Sequence, residues 1–147
     1  MNLNLPESVL NFLKDGRQFT YDPSECEAGL ISLNRIDQLI LGEVWISTED
    51  ESDPHQDEDG YYSVPAVSLT GECEAYDPEY ILLWLPNEQL FGSWDCDHWK
   101  LTVFPGTSWE DIVADPLIYL NAQWSPDGVG SEFHPWSKYE FRKGRPF

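Results

Sequence analysis

The order of hydrophobic patterns along the chain predicts an α+β fold: a single domain with a short N-terminal helix, a mostly antiparallel β-meander and two short helices after the last strands. Three observations carry this. Short segments rich in branched and aromatic side chains recur between turn signals. Helical spacing of apolar residues is confined to the two ends of that run. No strand–helix–strand alternation, which a parallel sheet would need, interrupts it.

The first helix is expected where Leu5, Val9, Phe12 and Leu13 share one face, with Asn4 and Glu7 in capping-box positions and Gly16 as the stop. "RQFTYD" then alternates, with Phe19 and Tyr21 on one side. "GLISL" and "QLILGEVWIS" read as strands, the longer one with a bulge at Gly42. "EDESDPHQDEDG", residues 49–60, has seven acids in twelve positions and no hydrophobic residue, so it is expected to be a solvated loop. In "YYSVPAVSL", Pro65 cannot donate to a ladder and belongs on an edge or at a bulge.

"YILLWL" is a continuous apolar run of strand length, the pattern of a strand buried on both faces. "PNEQ" makes a turn, and "LFGSW" with "WKLTVF" reads as a hairpin, Trp99, Leu101 and Val103 on one side and Lys100 and Thr102 on the other. "TSWEDIVA" opens a helix with a Thr107 to Glu110 capping box and places Trp109, Ile112 and Val113 on one face. "DPLIYLNAQW" restarts with Asp115 as N-cap and Pro116 at the first helical position. Periodicity is then lost. The reading is a globular acidic domain over 1–133 and an irregular basic tail over 134–147.

Composition bounds the function. A chain of 147 residues with 41% hydrophobic content and seven each of Trp, Tyr and Phe suits one packed core, burying about 68 to 70% of the surface its unfolded form exposes. Folding calls for no cofactor. The charge is the unusual feature: 27 acids against 8 basic residues give a net −19. Four of those basic residues, Lys138, Arg142, Lys143 and Arg145, fall in the last ten positions. Such a surface repels nucleic acid and anionic lipid, and it attracts basic proteins at a rate that falls as salt rises. "MNLNLPESVLNFLKDG" lacks the pattern of a secretory signal, and no run approaches the roughly 18 to 20 apolar residues of a membrane span. Cys26, Cys73 and Cys96 fit neither a disulfide framework nor a zinc ribbon. A cytoplasmic location is expected.

Three candidate sites follow. In "GSWDCDHWKL", Asp95, Asp97 and His98 are suitable metal ligands or proton carriers. Their place between two pairing strands favours a turn, because aspartate side chains accept backbone hydrogen bonds there. The adjacent carboxylates disfavour a Cys96 thiolate and so a nucleophilic role. Trp94 and Trp99 either pack within the hairpin or anchor a partner. The acids Glu49, Asp50, Glu51, Asp53, Asp57, Glu58 and Asp59 form a strip that mimics phosphates toward a basic partner; an EF-hand register fails, because it puts His55 first and Ala66 twelfth.

No residue is assigned a catalytic role. The expected function is a small acidic intracellular protein-binding domain, such as an immunity protein of a bacterial toxin system or an inhibitor that neutralises a basic protein. Two alternatives stand beside it. One is a small metal-dependent enzyme using the 95–98 loop, with His55 or His134 arriving from elsewhere. The other is a regulatory or structural subunit that binds through exposed aromatics.

Overall fold

The computed structural model describes residues 3–19, 32–47, 60–71, 80–95, 99–120, 129–133, 138–139 and 141–143. Helix α1 spans Glu7–Lys14, and a 3-10 turn spans Ile36–Gln38. Strands β1 (Leu41–Ser47), β2 (Gly60–Ser68), β3 (Tyr80–Leu85), β4 (Leu90–Asp95) and β5 (Lys100–Val103) form the antiparallel meander. Helices α2 (Trp109–Ala114) and α3 (Pro116–Leu120) follow. Strand β6 (Ser131–Glu132) then adds to β5, and β7 (Phe141–Lys143) returns to β2. The fold is α+β, as the patterns predict.

The sheet separates two apolar clusters. On one face Phe12, Phe91, Trp109 and Leu120 join Leu82 and Trp84 beneath the helices. Trp109 is the centre of this layer, 5.3 Å from Phe12 edge-on and 5.8 Å from Phe91. On the other face Val44, Ile46, Val64, Ile81, Leu83, Trp94, Leu101 and Val103 pack on one another. No helix covers that second cluster among the described residues; the sheet covers it by curling. Strand β1 approaches β5, and Tyr61 at the start of β2 meets Trp99 beyond the end of β4, ring centroids 4.5 Å apart. Curling of this kind follows from the twist of adjacent strands and buries an inner face without another layer.

Strand β3 is buried on both faces, from Ile81 to Leu85, as its unbroken apolar run predicts. Strand β2 is longer than either of its partners on one edge, and they divide it. The register sets Val67 and Ser68 against β3 and Gly60, Tyr61 and Tyr62 against β7. Leu69 donates its N–H to Leu82 O on the β3 side at 2.8 Å. Counting back by twos puts Pro65 toward the same edge, in the stretch between the two registers. Its missing donor therefore costs no ladder bond among the described strands.

Several local expectations are corrected. Helix α1 has Pro6 as its N-cap with no side-chain cap, in place of an Asn4 to Glu7 box. Its stop is as expected: Gly16, at φ 68, donates to Leu13 O and Arg17 donates to Phe12 O, the paired bonds of a Schellman ending. The α2 box is formed by Ser108 and Asp111, one residue later than Thr107 and Glu110, because that frame puts Trp109 on the buried face. Gly42 makes no bulge; it pairs in unbroken register with Ala66.

The segments "RQFTYD" and "GLISL" are described only in part. Residues 17–19 are not in a strand, and Leu33 makes a single bridge to Thr70. The Gln18 side chain completes that edge, accepting from Leu33 N at 2.7 Å and donating to its carbonyl at 3.3 Å. Finally, the segment expected to be an irregular tail carries β7. In the sequence, three residues of strand pattern do not stand out beside the Gly and Pro around them.

Candidate functional site

Asp95 is the last residue of β4 and pairs in register with Lys100, so residues 96–99 close the β4–β5 hairpin. Asp95 is 5% exposed, an uncommon place for a carboxylate. Cys96, Asp97 and His98 lie outside the described residues. Among the described residues no group of three or more His, Cys, Asp or Glu is placed to hold a metal ion.

Trp94 and Trp99 take different positions. Trp94 is 2% exposed in the inner cluster, its indole N–H buried with no acceptor among the described residues. Such a side chain offers a partner no surface in this conformation. Trp99 is half-buried and holds a left-handed backbone, φ 53. That conformation is disfavoured for a bulky side chain, and the edge-to-face contact with Tyr61 offsets part of the cost. Exposed apolar surface occurs elsewhere, at Ile40, 73% exposed, and Leu41, where β1 begins.

The acids Glu49, Asp50, Glu51, Asp53, Asp57, Glu58 and Asp59 also lie outside the described residues, as does His55. The strands that bracket them are described. Ser47 and Tyr61 are the last β1–β2 pair, so the strip lies within the connection at that end of the hairpin. At the same end Gly60 pairs with Lys143 and Tyr61 with Arg142. The chain's basic terminus therefore arrives, by register, at the first residue after the acidic strip.

A side-chain cluster that the sequence patterns do not reveal secures this arrival. The Tyr139 hydroxyl donates to Glu88 Oε1, and Lys138 Nζ stands 3.9 Å from the same oxygen. The Glu88 side chain is 6% exposed although it belongs to the β3–β4 turn, and its Oε2 is buried with no partner among the described residues. Burial holds the Tyr139 phenol well above the ordinary tyrosine range; the hydrogen bond to Glu88 and the Glu88 charge act in the same sense, and the Asn87 side chain acts against them. Tyr139 also packs against Phe133, ring centroids 6.3 Å apart, beside the inner cluster. The turn signal in "PNEQ" is satisfied by Pro and Asn alone, so nothing in it marks Glu88 as buried.

No family model, curated protein or solved structure matches the chain. No helix among the described residues is long and apolar enough to cross a membrane.

Proposed function

We propose that this chain is a protein-binding domain that neutralises a basic partner protein, in the manner of an immunity protein or an enzyme inhibitor, and that it acts in the cytoplasm. The observation that carries the reading is where the acids fall. Seven lie between β1 and β2 at positions 49–59, and Glu72, Glu74, Asp77 and Glu79 lie between β2 and β3. A sheet whose two faces are already filled supplies a rigid frame, and the connections supply the charge. Charge presented in this way accelerates encounter with a basic surface and selects against acidic ones.

The experiment is affinity capture from the native cell with the wild-type chain and with a variant carrying E49Q, D50N, E51Q, D53N, D57N, E58Q and D59N. A basic protein retained in near-equal amount by the wild type, and lost with the variant or as salt rises, is the expected result. Equal retention by both chains would remove the strip from the interface. A stoichiometric metal in the purified chain, with no protein partner, would favour the metal-dependent enzyme and return attention to Asp95, Asp97 and His98.

A further inference from the structure

The C-terminal strand lies where a basic ligand of the proposed kind would lie. Strand β7 is an extended segment whose positions 142 and 143 are Arg and Lys, and it is hydrogen-bonded in antiparallel register to the edge of β2. It meets β2 at Gly60, the residue that follows the acidic strip. In the sequence Lys138 and Arg145 flank it, so half of the chain's basic residues fall within the last ten positions.

We propose that β7 is a displaceable strap occupying the β2 edge on which an extended basic segment of the partner docks, and that the Tyr139–Glu88 hydrogen bond is its latch. The inference rests on the basic-partner reading and adds the docking edge and the mode of binding, strand addition.

The chain's own strand shows what the edge accepts. Backbone pairing along Gly60–Tyr62 is indifferent to side chains, so selectivity must come from the neighbourhood, which is strongly acidic on the β1–β2 side. Displacement is open to β7 because it pairs over three residues, whereas β1 pairs with β2 over seven. Short edge pairings open locally without global unfolding. The latch is polar. Glu88 gives one oxygen to Tyr139, and the other is buried with no partner among the described residues, so releasing the strap lets water reach that carboxylate and recovers part of what the broken bond costs. Lys138, largely exposed at 3.9 Å, adds only a screened attraction. While latched, the tail competes with any partner segment at an effective concentration of order millimolar.

The test uses a fluorescently labelled peptide of the chain's own last nine residues, YEFRKGRPF, titrated with the full-length chain and followed by anisotropy. Tyr139→Phe should tighten its binding about tenfold over wild type, the scale of one hydrogen bond to a charged acceptor. Arg142→Pro, which removes a ladder donor without touching Glu88, should tighten it as well and serves if Tyr139→Phe folds poorly. A control peptide with R142Q, K143Q and R145Q should bind more weakly, and binding of the basic peptide should fall with salt. Equal binding of the basic peptide to wild type and both variants would overturn the strap. Equal binding of the two peptides to the variants would overturn the basic occupant while leaving an exchangeable strand. Capture of the native partner by the charge-neutralised chain is a separate readout, so failure of the strap and failure of the basic-partner reading are told apart.

Discussion

Strands β3 and β7 share one edge of β2 and are held there by different physics. Strand β3 buries both faces, Leu82 and Trp84 beneath the helices and Ile81, Leu83 and Leu85 inside the curl, and its hydrogen bonds lie deep in the molecule. Strand β7 is joined over three residues and secured by a hydrogen bond that depends on a buried carboxylate. The difference teaches that one continuous ladder need not be one unit of stability. Apolar area fixes β3, and a latch regulates β7.

The comparison can be broken most severely at β3. Leu82→Ala removes a side chain with no exposure from the joint between sheet and helices and should cost about 2 to 5 kcal/mol. Denaturant unfolding should show the global transition, with β3 and the helices lost together, at a lower midpoint. A small change at this position would mean that the helical layer is not the principal core.

Tyr139→Phe is the corresponding change at β7 and should be milder, about 1 to 3 kcal/mol confined to the strap. Amide exchange at positions 141–143 should accelerate while that of Leu82 and Trp84 stays unchanged. Equal acceleration in both strands would show that they open together.

Alkaline pH should act on the same contact. The folded chain holds the Tyr139 phenol neutral above the ordinary tyrosine range. Its contribution is complete below the unfolded value of about 10 and declines as pH rises beyond it. The β7 amides should therefore lose protection above about pH 10 ahead of those in β3, and Tyr139→Phe should abolish that dependence. A strap whose protection is flat across this range would have some other fastening.

The smallest effect is expected between the two strands. Pro65→Ala restores a donor where no partner strand is registered among the described residues and adds freedom to the unfolded chain, so the loss should stay below about 1 kcal/mol. A larger loss, read by thermal unfolding, would mean that the ring of Pro65 packs on something essential.

The same contrast governs how much of the molecule was legible in its sequence. Strand β3 announces itself because burial on both faces demands an unbroken apolar run, and the β4–β5 hairpin does so through its alternation. Pro65, expected on an edge or at a bulge, instead lies inside β2, paired with Glu43 and falling between the β3 and β7 registers. What escaped notice depends on distance in space. Gly42 looks like a bulge until Ala66 is found opposite it in unbroken register. Thr107 and Ser108 both begin plausible capping frames, and only the pocket for Trp109 decides between them. Glu88 reads as turn decoration, and its burial follows from a tyrosine fifty-one residues later in the chain. The acidic strip was legible as charge, but its relation to the basic terminus needed the β2–β7 register.

One edge of β2 carries a fixed strand, β3, and an exchangeable strand, β7, beside the acidic strip. Native-state hydrogen exchange of the full chain, followed residue by residue through increasing sub-denaturing urea, tests that division most directly. The prediction is that amides at 141–143 exchange through a local opening insensitive to urea, while Leu82 and Trp84 exchange only through global unfolding with its full urea dependence. A single urea-dependent opening shared by both strands would contradict it.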